Sequence, residues 1–132
     1  MAEVKYIPCD IYKRDIWVFV GTLDELKSWV EKEFTYEDEK EFVDMVLGLK
    51  KRNEMASFNY DMHNGQGVVH IYKFPTDPKE YAALSHELLH ATFHVLNFCN
   101  VEYAYDGSNE AFTYLLEHFM RNALEREGYK VV

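Results

Sequence analysis

An α+β fold, with a short sheet that includes a β-hairpin packed against helices, is the class this sequence predicts, and three observations carry the prediction. Between Met55 and Phe74 apolar residues alternate with polar ones, the period of a strand, around a His-Asn-Gly-Gln-Gly break. A β-branched and aromatic run from Asp15 to Val20 stands apart near the N-terminus and is followed by Gly21. Elsewhere the apolar spacing is three to four residues, and each such stretch opens on a helix-start signal.

The elements follow in order. Asp15 to Val20 reads as a buried strand. Thr22 and Glu25 form a capping box for a helix through about Phe34, with Leu23, Leu26, Trp29 and Val30 as its apolar stripe. Thr35 offers a second N-cap for a helix to about Leu49, with Phe42, Val43 and Val46 inward and Lys50, Lys51 and Arg52 suiting its C-terminal dipole. The alternating run from Met55 to Phe74 folds as the hairpin. Pro75 and Pro78 stop its second strand, and a third helix runs from near Asp77 to about Asn97. Phe98 to Gly107 is a loop, and Ser108 caps a last helix to about Arg126.

At 132 residues and 48% hydrophobic content, the chain suits one domain spanning residues 1–132. The net charge of −9, with 14 basic residues scattered among 23 acidic ones, argues against nucleic acid and against an anionic membrane surface. No apolar run approaches the roughly 20 residues of a membrane span, and no export signal is recognisable. Cys9 and Cys99 are too few for a disulfide framework, although one bridge between them is possible on paper; a cytoplasmic location is the expectation.

The third helix carries His86-Glu87-Leu88-Leu89-His90, an HExxH pattern that random order would produce about 0.03 times in a chain of this composition. Residues four apart on a helix lie about 40° apart around its axis and about 6 Å along it, so both imidazoles can meet one metal ion. Glu87 is turned roughly 80° from their mean direction, toward a metal-bound water rather than the metal, where a general base belongs. Leu84, Leu88, Ala91 and Val95 make one apolar stripe while Leu89, Phe93 and Leu96 cover another, so the helix is expected to be central. Two histidines there would need partners, and a Zn²⁺ ion satisfies both.

A tetrahedral catalytic zinc wants a third protein ligand. Glu110 is the first candidate, 20 residues beyond His90 at the start of the next helix, although a glutamate in a first turn also simply favours the helix dipole. Asp106, His118 and a site completed only by water compete with it. His94 extends the histidine line but lies about 12 Å along the axis from His86, so it supports the site from behind or packs. Tyr114 and His118, on the polar side of the last helix, and Tyr103 and Tyr105, in the loop, are candidate oxyanion donors. His63 and His70 have no metal spacing and are expected to be structural. The hairpin edge beside the metal could pair with an extended peptide, and the acidic surface suggests basic or neutral substrates.

From Leu84 to Phe119 the chain resembles the gluzincins, zinc peptidases with HExxH on one helix and a glutamate ligand on the next, and its order of strand, hairpin and active-site helix also resembles minimal zincins, including the short minigluzincins. The segment NEAFTYLL is also similar to small cytoplasmic metallopeptidases acting on phage-type repressors and to compact phage-encoded HExxH proteins. The resemblance implies a zincin-like fold with the zinc between the third and fourth helices, His86, His90 and Glu110 as ligands, Glu87 as base, and a peptide or protein substrate. Two features depart from the thermolysin pattern: Tyr114 stands where an aspartate orients a histidine, and the large C-terminal domain has no counterpart. The expected activity is hydrolysis by zinc-activated water; the alternative is a non-catalytic metal-binding or host-interaction protein that keeps the fold.

Overall fold

The computed structural model of the chain describes residues 1–50 and 55–132, so the expected role of Lys51 and Arg52 at a helix end lies outside the described residues. The order of elements is β1 (Glu3–Ile7), β2 (Ile16–Val20), α1 (Leu23–Glu33), a 3₁₀ turn (Glu37–Glu39), α2 (Lys40–Leu47), β3 (Ala56–Tyr60), β4 (Gly67–Ile71), α3 (Pro78–Phe98), α4 (Asn109–Leu124) and β5 (Lys130–Val131). The strands form one mixed sheet in the order β3-β4-β2-β1-β5. Among the described residues only β2 and β4 run parallel; β3 and β4 form the antiparallel hairpin, with Ala56 opposite Ile71 and Tyr60 opposite Gly67. The α+β class is therefore as expected from the sequence.

Helices cover both faces of the sheet, because β2 and β4 alternate between two cores. Ile16, Val18, Val69 and Ile71 pack with Leu84, Leu88, Phe112 and Phe119 of α3 and α4, while Phe19 and Val68 pack with Leu26, Trp29, Phe42 and Val46 of α1 and α2. Full burial of each Leu or Val contributes about 1.5–3 kcal/mol.

Local signals explain most of the helix ends. Thr22 and Glu25 make the reciprocal capping box at α1, with Thr22 N donating to Glu25 Oε1 at 2.9 Å and Glu25 N to Thr22 Oγ1 at 3.2 Å. Thr35 caps nothing; the 3₁₀ turn intervenes, and buried Glu39 accepts from Tyr36 N at 3.1 Å before α2 begins. Ser108 stands at the N-cap position of α4, yet its hydroxyl turns back into the loop to accept from Ala104 N and donate to Glu102 O.

β1 and β5 carry no clear sequence signal. In β1 the alternation fails because Val4, Lys5 and Ile7 are all buried. Lys5 is held there by its ammonium, which donates to Asn122 O at 2.6 Å and Glu125 O at 3.0 Å and so completes the C-terminal carbonyls of α4. Cys9 and Cys99 are free thiols. Among the described residues no helix is long and apolar enough to cross a membrane.

Candidate metal centre

The start of α3 is fixed by its own residues. Asp77 caps it by accepting from Glu80 N at 2.8 Å, and Pro78 supplies the helical φ at the first position. Glu80 pairs with Lys73 at 2.9 Å and accepts from Thr76 Oγ1 at 3.0 Å. The Lys73 hydrogen bond is the largest cause of its carboxyl being pulled down to about 2.

Leu84, Leu88, Ala91 and Val95 are fully buried against the sheet, which sets the phase of the helix. His86 and His90 lie two residues either side of Leu88, about 200° around the axis, and so face away from the sheet. Both are exposed, as are Leu89 at 41% and Phe93 at 38%. The expectation of a central helix, apolar all round, is thus corrected: α3 is the outer layer on one face of the sheet, and burial does not force the histidines to find a metal.

What favours a metal is the geometry between the rings. His86 Nε2 and His90 Nε2 converge to 3.2 Å. Two nitrogens bound at 2.0–2.1 Å to a tetrahedral zinc stand about 3.4 Å apart, so the two imidazoles already have nearly the bite such an ion requires. At that distance one ring N–H can also donate to the other ring, which holds both in converging rotamers. Of the three expected ligand residues, His86 and His90 are the two brought together.

Glu87 is half-buried and, with His86 and His90, lines a groove of about 1240 Å³ between α3 and the hairpin strand β3. His94 lines the same groove one turn on. Its Nε2 donates to Gly65 O at 3.0 Å, and its ring lies 4.3 Å from that of Tyr60, centroid to centroid. Burial, the largest cause, lowers its pKa, and the ring packs against Phe58 and Tyr60. His70 is structural as expected: it is buried, donates from Nε2 to Gly21 O at 2.7 Å, and has its pKa lowered mainly by desolvation. His63, exposed, meets Glu41 at 3.1 Å.

The α4 side is different. Phe93 packs on Phe112 with centroids 4.9 Å apart, and Ser85 Oγ reaches Met120 Sδ at 3.5 Å, so the antiparallel helices place Glu110 level with Val95. That is five residues, or about 7.5 Å, beyond His90. Glu110 is exposed in the first turn, and among the described residues no third His, Cys, Asp or Glu joins the histidines in a group that could hold a metal. Asp106 and Tyr105 are exposed in the loop, Tyr103 rests its ring on Phe112, and Tyr114 is 67% exposed. His118 is turned to the β1 end of the molecule, where Nε2 donates to Pro8 O at 3.0 Å. None of these is among the residues lining the groove.

Groove residues not foreseen include Lys79 and Asn97 of α3 and Lys50. A signal for the first two existed: Lys79, His86, His90 and Asn97, spaced seven, four and seven apart, form one polar stripe on an otherwise apolar helix. Comparison with protein-family models, with curated proteins and with solved structures gave no match, so the functional case stands on the site's chemistry.

Proposed function

We propose that this protein is a zinc-dependent hydrolase with a zincin-like fold, acting on a peptide or protein. The observation that carries the proposal is the 3.2 Å convergence of two helix-borne imidazole nitrogens beside a groove that also holds a carboxylate. His86 and His90 would hold the ion, and Glu110 is the proposed third ligand on the neighbouring helix. When bound, zinc supplies a water of lowered pKa and a positive charge for the scissile carbonyl oxygen. Glu87 would take a proton from the attacking water and pass it to the leaving amine. The edge of β3 aligns an extended substrate by main-chain hydrogen bonds.

Glu87→Gln tests the assignment: the amide keeps the shape but cannot take the proton, so zinc should stay bound while hydrolysis of a casein substrate is lost. Unchanged hydrolysis would overturn the mechanism. One observation favours a second reading, a non-catalytic metal-binding or host-interaction protein. The histidines are exposed and Glu110 is not gathered to them, an arrangement suited to a metal shared with a partner. Loaded wild-type protein that cleaves nothing, yet changes oligomeric state or binds a partner when zinc is added, would favour it.

A further inference from the structure

We infer that the groove accepts an extended peptide in one direction only, with large apolar side chains on the N-terminal side of the scissile bond and acidic ones on the C-terminal side. The position of the bond rests on the hydrolase reading above; the polarity of the groove does not.

The two ends of the groove differ in chemistry. Tyr60 of β3 lies beside His94, late in α3, and Phe58 is 5.6 Å from the same ring, centroid to centroid. The C-terminal end of β3 therefore sits against the later turns of the helix, where Phe98 and Met62 extend an aromatic and apolar wall. Arg14 stands over the Phe98 ring at 4.5 Å but does not line the groove. The opposite end, near the first turns of α3, carries Lys79 and Lys50. Both are exposed, and among the described residues neither is ion-paired. Glu87 is the single carboxylate among the described lining residues, so these residues carry one more positive than negative charge in a chain of net charge −9.

β3 is the outermost strand of the sheet on this side, and among the described residues no strand pairs with its outer edge. A peptide added there in the antiparallel sense, the more stable ladder per residue, runs opposite to β3. Its N-terminal part then meets the aromatic end and its C-terminal part the lysines. Along α3, Lys79 is nine residues before the histidine midpoint, about 13 Å, and His94 is six residues after it, about 9 Å. At about 3.4 Å per extended residue these distances place the apolar preference two to three residues before the scissile bond. The acidic preference falls two to four residues after it once the lysine side chain's own reach is counted.

Calorimetric titration of zinc-loaded Glu87→Gln protein with three capped peptides tests this. The peptides are acetyl-Phe-Leu-Ala-Gly-Ala-Asp-Asp-amide, the same with Lys-Lys in place of Asp-Asp, and the first in reverse order. The first should bind about fivefold or more tighter than either other, the size that two partly exposed charge pairs supply, and the margin should shrink in high salt. The double variant Lys50→Glu, Lys79→Glu, on two exposed positions, should reverse the Asp over Lys preference. Equal affinities, tighter binding of the Lys or reversed peptide, or no binding at all overturn the inference. Zinc content is measured on the same samples: protein that takes no zinc but keeps the preference counts against the hydrolase reading alone, and protein that takes zinc without the preference counts against this inference alone.

Discussion

The two flanks of α3 are organised to different degrees. On the flank facing β3, His86, Glu87, His90 and His94 share one groove with the hairpin, and His94 is pinned by Gly65 O and Tyr60. On the flank facing α4, Glu110, Tyr114 and His118 lie apart from the histidines, at different levels or turned to other partners. The difference teaches where sequence spacing has force. Within one helix, four residues fix both direction and distance; between two helices, the register depends on which side chains interdigitate, and here Phe93 on Phe112 sets it.

Substitutions can break this contrast. His86→Ala or His90→Ala should lower zinc affinity more than about 100-fold, since loss even of groups outside the ligand set costs 10–100-fold. Zinc titration against a competing chelator reads it. Glu110→Ala should weaken zinc as well but by less; an effect equal to that of His90→Ala would mean that α4 changes register when the metal binds. Leu88→Ala should destabilise the fold by about 2–5 kcal/mol, while Leu89→Ala, one residue on but exposed, should stay within about 0.5 kcal/mol, both by urea unfolding. His118→Ala should keep the metal and cost about 1 kcal/mol through its lost bond to Pro8 O.

The smallest effect concerns acid. His70 and His94 have lowered pKa values in the folded chain, so each contributes stability that is present above the ordinary histidine value of 6.5 and is lost as pH falls below it. Glu80, held down to about 2, adds a further loss as pH drops from the ordinary 4.5 toward that value. Urea midpoints should therefore fall from pH 7 to pH 5 and again below 4.5. A flat profile between pH 7 and 5 would contradict the buried, neutral state of the two histidines.

Much of the fold was legible because its signals are local. The Thr22 and Glu25 box, Pro78 behind Asp77, and the two-residue period of the hairpin each depend on neighbours in the chain. β1 was not, since a buried Lys5 looks like a surface residue until the carbonyls at the end of α4, more than a hundred residues away, receive its ammonium. For the site, the HExxH spacing correctly brought His86 and His90 together. The inference that they are buried failed for a related reason: Leu89 and Phe93 are apolar yet outward, and a sequence does not say which of two apolar stripes faces the sheet.

The central claim is that the His86 and His90 pair binds zinc, and metal content by elemental analysis after mild dialysis tests it most directly, with the His90→Ala protein treated in parallel. One zinc per wild-type chain, and almost none in the variant, is the predicted result. A folded wild-type protein that carries no zinc and takes up none when it is added would contradict the account.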